Sequence, residues 1–351
     1  MKSNSRNYAL DLLRVFACYL VIQIHAGEYF YIGEGGSVIT GDNTFWVGII
    51  NSIGRTAVPL FVMISGYFLL PLQETTQVFF RKRFTRILYP FVIWCIIYAI
   101  YFFLTKGESW QQLVTNILYI PVNFGTQVGH LWYIYMLIGL YVLIPVISPW
   151  LQSCSKRELQ VYLGIWIFTT FVPYIHQVFP EILGECFWNP TPTLYYFTGF
   201  VGYLILGFYF KKYGKISKLN ALLLLIIGYA VTAYLYCHRI DTAANIIELE
   251  LSWGFCTFNV MFMSVGLFFL FKAIPAKGEG KVGSLFKDIA AKSYGMYLAH
   301  IIVLNFYYSI LNDHISSIPV KVPLIAICTF ITVYILIYIL SFIPKSKYWV
   351  G

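Results

Sequence analysis

The chain has 351 residues, of which 59% are hydrophobic and only 11% are charged, and its mean hydropathy is +0.71. A soluble domain carries about 25% charged residues, so this composition excludes an ordinary soluble protein and indicates an integral membrane protein. The net charge of +9 would suggest a nucleic-acid partner in a soluble protein. In a membrane protein it reports on the orientation of the loops, and we expect no nucleic-acid partner.

Ten apolar stretches are long enough to cross a bilayer, which takes about 20 residues. We therefore predict an all-α polytopic bundle of about ten transmembrane helices, in a single domain covering residues 1 to 351. The stretches cover residues 8 to 30, 46 to 70, 87 to 105, 130 to 150, 159 to 179, 193 to 211, 219 to 237, 252 to 274, 289 to 311 and 321 to 343. The first stretch is too long for the core of a signal peptide, so we expect it to be the first span.

The basic residues predict the orientation of these spans. With the N-terminus in the cytoplasm, most of the 24 Lys and Arg residues fall in cytoplasmic connections, as the positive-inside rule requires. An even number of spans then returns the C-terminus to the cytoplasm. The connections are too short to hold a soluble catalytic domain, so any chemistry is expected inside the bundle.

The seven cysteines are an odd number and show neither a CxxC motif nor the spacing of metal ligands. Free cysteine commonly behaves as a small buried apolar residue. We therefore assign the cysteines no chemistry and predict no metal site.

The first span, LDLLRVFACYLVIQIHAGE, carries ionisable residues on one face. Arg14 and His25 are eleven residues apart, which is three helical turns plus about 20°, and Asp11 lies one turn before Arg14. These residues could simply stabilise packing, but three costly ionisable groups on one face favour a functional site. Histidine is the most suitable base near neutral pH. Glu28, three residues after His25, could orient the imidazole or lie solvated at the membrane edge.

The next two spans add more positive charge. Arg55 lies within the second span, about nine residues from its outer end, and Pro59 predicts a kink beside it. The third span begins after the sequence RKRFTR, which contains Arg81, Lys82, Arg83 and Arg86. This cluster could anchor the protein to anionic lipids. It could equally bind the phosphates of a cytosolic donor, because guanidinium groups at positions i and i+3 form paired forks.

Later spans contribute histidines and aromatic residues. His130, Trp132 and Tyr133 begin the fourth span near its outer mouth, where an interfacial aromatic belt would also place a tryptophan and a tyrosine. His300 lies eight to ten residues into the ninth span, and a histidine at that depth needs a polar partner.

These motifs together resemble the acyltransferase family 3 membrane enzymes, especially surface-polysaccharide O-acetyltransferases of the enterobacterial-common-antigen type. The resemblance is carried by RNYALDLLRVFACYLVIQIH, GRTAVPLFVMISGYFLL, FFRKRFTRILYPFVIW, GHLWYIYMLIGLYVLIP and SYGMYLAH. It is strong over the first 150 residues and fair in the ninth span, whereas residues 151 to 285 match only as hydrophobic spans.

The resemblance implies a multi-pass enzyme of the bacterial inner (cell) membrane, which O-acetylates a cell-envelope polysaccharide or its lipid-linked sugar precursor. The implied donor is an acyl-CoA, with acetyl-CoA the expected one, used as a co-substrate rather than bound permanently. By the same resemblance, His25 is the catalytic histidine, Arg14 is its motif partner, and Arg83 with Arg86 binds the donor.

We combine this resemblance with the residue patterns as follows. The expected catalytic residues are His25, Arg14 and Asp11; the expected donor-binding residues are Arg83, Arg86, Arg81 and Lys82; the expected acceptor-binding residues are Glu28, Arg55, His130, Trp132, Tyr133 and His300. His25 would act either as a general base or as a transient acyl carrier. The alternatives are a secondary transporter or flippase, since intramembrane charges also mark transport paths, and a non-catalytic sensor. The absence of an obvious internal repeat argues against transport.

Overall fold

The computed structural model describes residues 7–123, 125–183, 194–275, 278 and 280–350. In this part of the chain the regular structure is helical, apart from one isolated bridge between Ile32 and Val38. The α-helices are α1 Tyr8–Glu28, α2 Asp42–Asn51, α3 Ala57–Leu69, α4 Thr76–Lys106, α5 Trp110–Tyr119, α6 Trp132–Ser153, α7 Lys156–Thr169, α8 Val172–Val178, α9 Phe200–Lys212, α10 Lys218–Arg239, α11 Ile246–Leu249, α12 Phe258–Lys272, α13 Gly280–Leu311 and α14 Ile318–Leu340.

Within the described residues, nine helical segments are long and apolar enough to cross a membrane. This finding confirms the predicted all-α polytopic bundle. The sixth predicted span, 193 to 211, begins at a residue outside the described ranges and corresponds to α9. With 13 residues, α9 is about 20 Å long and is too short to cross a typical bilayer by itself.

The second span is interrupted before its proline. A 3-10 segment, Ser52–Thr56, joins α2 to α3, and Pro59 lies in the first turn of α3. A proline ring clashes with the carbonyl four residues earlier in a regular α-helix, which here belongs to Arg55. The interruption therefore lies where the proline requires it, and it places Arg55 in the 3-10 segment.

The third span is longer than the 87 to 105 predicted from hydropathy. Helix α4 begins at Thr76, where the Thr75 hydroxyl accepts a hydrogen bond from the Val78 N–H at 3.4 Å. The basic cluster is therefore helical rather than part of the preceding connection. Helical geometry then directs its members to different sides: Arg83 is half-buried, whereas Arg81 and Lys82 are exposed.

Helix α1 lies at the centre of the bundle and packs against α3, α12, α13 and α14. Helix α3 in turn packs closely on α9 through glycines. A Cβ on Gly66 would lie 1.8 Å from the Leu204 carbonyl oxygen, and one on Gly207 would lie 2.0 Å from that of Met63. These contacts allow the two backbones to touch, as small residues do in membrane helix pairs, and α3 lies between α9 and α1, since it packs against both.

Candidate active site

A cavity of about 950 Å³ runs along the polar face of α1. Its walls come mainly from α1, α3, α4, α6 and α13. The cavity is lined by Asp11 and Arg14 near the start of α1 and by His25 and Glu28 at its end. Arg14 and His25 are separated by about 16 Å along the helix axis. One continuous space therefore joins the residues that the sequence placed on one face.

The arginine end of the cavity comprises Asp11, Arg14, Arg83 and Arg86. Arg14 Nη1 lies 3.5 Å from Asp11 Oδ1, and the two arginines of α4 line the same end. The buried Arg83 Nε has no hydrogen-bond partner within the described residues. Arg83 and Arg86 thus add positive charge beside the Asp11–Arg14 pair at this end, and this charge favours an anionic ligand.

The histidine end is built around His25 and Glu28. His25 Nδ1 lies 2.8 Å from Glu28 Oε1, one helical turn further along α1. A carboxylate only accepts hydrogen bonds, so Nδ1 is the protonated nitrogen of a neutral His25, and Nε2 carries the lone pair. The carboxylate orients the ring and stabilises the imidazolium that forms when Nε2 accepts a proton. This pair has the geometry of an oriented general base.

Two further histidines from distant spans lie against His25. The ring centroid of His300 is 5.2 Å from that of His25, and His130 is 4.8 Å from His300 and 6.1 Å from His25. His300 Nδ1 lies 2.5 Å from the Tyr297 carbonyl oxygen, to which it donates. The His300 Nε2 is buried and has no hydrogen-bond partner in the described part of the chain. The Tyr98 hydroxyl lies 3.4 Å from His130 Nε2.

Arg55 also lines the cavity and is held by a network that sequence patterns did not reveal. Its Nη2 lies 3.2 Å from Glu250 Oε1 and 3.3 Å from the Tyr31 hydroxyl, and Tyr31 also donates to Glu250. The guanidinium lies 4.3 Å from the ring centre of Trp253. Burial and the Glu250 carboxylate hold the pKa of Tyr31 well above its ordinary value, so its hydroxyl remains a neutral donor.

The aromatic residues at the start of α6 line the cavity instead of forming only an interfacial belt. Trp132 packs on Phe255 and Phe200, with ring centroids 5.5 and 5.9 Å apart. Tyr133 packs on Tyr297 at 5.4 Å. Both Trp132 and Tyr133 are lining residues, so they give the cavity an aromatic surface.

The structure brings most of the predicted site residues to this one cavity. The lining residues include Asp11, Arg14, His25, Glu28, Arg55, Arg83, Arg86, His130, Trp132 and Tyr133. His300 lies just behind them, against His25 and His130. Arg81 and Lys82 do not line the cavity, and Lys82 pairs with Glu74. The geometry thus gives no support to donor binding by these two residues, and their predicted role remains untested.

Several lining residues were missed by the sequence analysis. They include Glu250, Tyr98, Tyr101, Tyr141, Tyr294, Tyr297 and Asn305. The unpaired positive charge of Arg55 was the one signal that could have led to Glu250, because a buried cation requires a partner. The tyrosines carried no comparable signal in a chain that contains 29 of them.

Fold and site together define the class as a multi-pass helical membrane protein with an internal charged cavity. A family model described as an acyltransferase domain matches residues 7–342, and the chain therefore belongs to acyltransferase family 3. The match extends across the middle of the chain, where the quoted motifs gave only hydrophobic spans. Comparisons with curated proteins and with solved structures give no match. The predicted kinship with the enterobacterial-common-antigen type stays a prediction.

Proposed function

We propose that this membrane acyltransferase moves an acetyl group from cytosolic acetyl-CoA to a hydroxyl of a cell-surface glycan or of its lipid-linked precursor. The observation that carries the proposal is the single cavity that joins the arginine end to the His25–Glu28 pair. With the N-terminus in the cytoplasm, the arginine end faces the donor and the histidine end faces the acceptor. The acetyl group then crosses the bilayer inside the protein.

The arginine end suits the donor. Coenzyme A carries several phosphate groups, and guanidinium groups bind phosphate oxygens through paired, charge-assisted hydrogen bonds. Arg83 and Arg86 lie one turn apart on α4 at this end, beside Arg14 of α1. The positive charge of Arg83 and Arg86 supports an anionic ligand there rather than a neutral one.

The histidine end suits a sugar hydroxyl. Arg55, Glu250, Asn305 and Trp132 line the same cavity as His25, and they offer hydrogen bonds together with an aromatic surface. Such a combination of an apolar face and a few placed polar groups is typical of sites for small polar ligands. It supports an acceptor with several hydroxyl groups and a ring.

The reaction follows from the His25–Glu28 geometry. His25 Nε2 takes the proton of the acceptor hydroxyl while its oxygen forms a bond to the thioester carbonyl carbon. The carbon–sulfur bond then breaks, and the thiolate of coenzyme A takes the proton from the imidazolium. General-base assistance of this kind contributes about 10²–10⁴-fold to the rate. In the alternative route, His25 Nε2 itself attacks the thioester and passes the acetyl group to the hydroxyl in a second step.

The test uses membranes that contain the full chain and acetyl-CoA labelled in the acetyl group. Wild-type protein is expected to transfer label to glycan or lipid-linked sugar, and His25→Ala at matched abundance is expected to lose at least about 100-fold. The matched control is His238→Ala, a histidine near the end of α10 that does not line the cavity. Full transfer by His25→Ala would remove His25 from the mechanism. Absence of transfer from any acyl-CoA, with sugar movement across vesicles intact, would support a transporter or flippase.

A further inference from the structure

The tyrosines that line the cavity fall into two groups. Tyr98, Tyr294 and Tyr297 donate their hydroxyls to the backbone carbonyls of Leu298, Ile87 and His130, and the Tyr101 hydroxyl accepts from the Asn305 amide at 3.0 Å. Tyr133 and Tyr141 make no hydrogen bond with any part of the chain that the structure describes. Their hydroxyl oxygens are also absent from the fully buried, partnerless atoms, so they face open space in the cavity. The second pair is therefore available to a ligand.

Both available tyrosines lie on α6 between the two ends of the cavity. They are eight residues apart, about 12 Å along the helix axis, and Leu137 between them also lines the cavity. Tyr141 is within electrostatic range of Arg14, Arg83 and Arg86. Tyr133 lies one turn from His130. The order along the cavity is therefore arginines, Tyr141, Tyr133 and then the histidine end.

We propose that Tyr141 and Tyr133 bind the uncharged arm that links the phosphates of coenzyme A to its thioester. The inference rests on the proposed function. Tyr141 binds the pantoyl end of the arm, with its hydroxyl and first amide, and Tyr133 binds the second amide, next to the sulfur. Phenol hydroxyls donate to amide carbonyls and accept from amide N–H groups. The groups of the donor thus follow in the same order as the residues of the cavity.

This matching order of donor groups and cavity residues is testable with shortened donors. Each truncation of the donor removes the chemical group that one set of residues is proposed to bind. Acetyl-CoA carries the phosphates, the pantoyl group and the second amide. S-acetyl-pantetheine keeps the pantoyl group and both amides but lacks the nucleotide and all phosphates. S-acetyl-N-acetylcysteamine keeps only the amide next to the sulfur. For each donor, kcat/KM is measured for wild type and for Arg83→Gln, Tyr141→Phe and Tyr133→Phe.

We expect a stepwise pattern. Arg83→Gln lowers kcat/KM with acetyl-CoA only. Tyr141→Phe lowers it with acetyl-CoA and S-acetyl-pantetheine, whereas Tyr133→Phe lowers it with all three donors. Each tyrosine change is expected to cost about three- to ten-fold, as for one neutral hydrogen bond. The matched control is Tyr162→Phe on α7, whose ring packs outside this cavity and which should change no donor.

The possible failures are distinguishable. If Tyr141→Phe loses the same factor with S-acetyl-N-acetylcysteamine as with acetyl-CoA, Tyr141 acts through the fold, and the proposed order of contacts is overturned. If Tyr133→Phe keeps wild-type kcat/KM with S-acetyl-N-acetylcysteamine, Tyr133 does not bind the amide next to the sulfur, and the proposed order is overturned as well. Wild-type levels in both tyrosine variants with acetyl-CoA also overturn it, while leaving the acetyl transfer itself intact. If the wild type transfers from no thioester, the proposed function fails and this inference fails with it.

Discussion

The two ends of the cavity are built in different ways. At the histidine end, His25 is held by Glu28, His300 by a backbone carbonyl, and Arg55 by Glu250. At the arginine end, Arg83 and Arg86 line the cavity beside the Asp11–Arg14 pair. Among the described residues, Arg83 Nε lacks a partner there, as Arg55 Nε and His300 Nε2 do at the histidine end, so the two ends differ in net charge rather than in unpaired atoms. The first end is organised before a substrate arrives, whereas the second has charge that a ligand would neutralise.

This difference matches what each step of acyl transfer requires. Chemistry depends on groups that are already oriented in the resting protein, because reorganisation during the reaction raises the barrier. Donor binding depends on complementary charge, which an incoming phosphate supplies. Substitutions at the histidine end should therefore change kcat, and substitutions at the arginine end should change KM for the donor.

After His25→Ala, the largest effect is expected for Glu28→Gln. It removes the carboxylate that orients His25 and stabilises its imidazolium, and a hydrogen bond to a charged group contributes about 1.5–3 kcal/mol. We expect kcat to fall by about 10- to 100-fold, with little change in KM for acetyl-CoA. The change should add nothing further in a His25→Ala background, since both act through one group.

The control for Glu28→Gln is Glu34→Gln, because Glu34 is exposed and lies outside the cavity. An equal loss in both variants would show that the effect is not specific to the His25 partner. A full additional loss on top of His25→Ala would show that Glu28 acts independently of the imidazole.

At the arginine end, Arg83→Gln and Arg86→Gln are each expected to raise KM for acetyl-CoA by about ten-fold, as for one charge-assisted hydrogen bond. The kcat should stay nearly unchanged, and added salt should weaken donor binding by the wild type. KM is measured in membranes at matched abundance. Arg81→Gln and Lys82→Gln are the controls, because both residues are exposed and outside the cavity. Equal effects at all four positions, or a fall in membrane abundance alone, would favour lipid anchoring.

The site residues differ in how far the sequence could predict them. Asp11, Arg14, His25 and Glu28 lie on one helix, where a fixed 100° per residue converts spacing into a shared face. The same rule paired Arg83 with Arg86. Hydropathy likewise identified the nine spanning segments of the described residues, because each must match the thickness of the bilayer, whereas the predicted span 193 to 211 corresponds to the shorter α9. These parts depend only on local geometry.

Residues that meet through packing could not be predicted in this way. Glu250 reaches Arg55 across 195 positions of sequence, and Tyr98 reaches the Leu298 carbonyl across 200. No periodicity connects such pairs. His130 and His300 were singled out as buried histidines, but their approach to His25 depends on how α6 and α13 pack against α1. The length of α4 and the break before Pro59 also needed the three-dimensional structure.

The Arg55 network tests whether all of the histidine end serves chemistry. Glu250→Gln leaves the buried Arg55 without its anionic partner. Breaking a fully buried ion pair lowers the free energy of unfolding by about 3–5 kcal/mol. Because the Glu250 side chain is 29% exposed, we expect a smaller loss of about 1–3 kcal/mol here. The expected result is a Tm several degrees lower, measured in detergent without ligand. Glu248→Gln, with an exposed carboxylate nearby in the chain, should leave Tm unchanged. An unchanged Tm in Glu250→Gln, with a large loss of kcat, would instead place Glu250 in the chemistry.

The smallest effect is expected at His300, where stability and activity should move in opposite directions. Its Nε2 is buried without a partner among the described residues. Leaving a buried polar atom unpaired lowers the free energy of unfolding by about 1–3 kcal/mol, and an apolar side chain of similar size removes this penalty. His300→Leu should therefore keep or raise Tm. Because the ring lies against His25, kcat should nevertheless fall by about three- to ten-fold at constant KM, as for loss of one aromatic contact that orients the base.

Thr329 provides the matched control for His300, since its hydroxyl is equally buried and partnerless in the described chain but lies on α14, away from the cavity lining. Thr329→Val should raise Tm without changing kcat. If His300→Leu behaves in the same way, its imidazole only fills space. If only His300→Leu loses activity, the imidazole of His300 holds His25 in place. The protein then retains a destabilising polar atom at this position for the sake of activity, as functional sites commonly do.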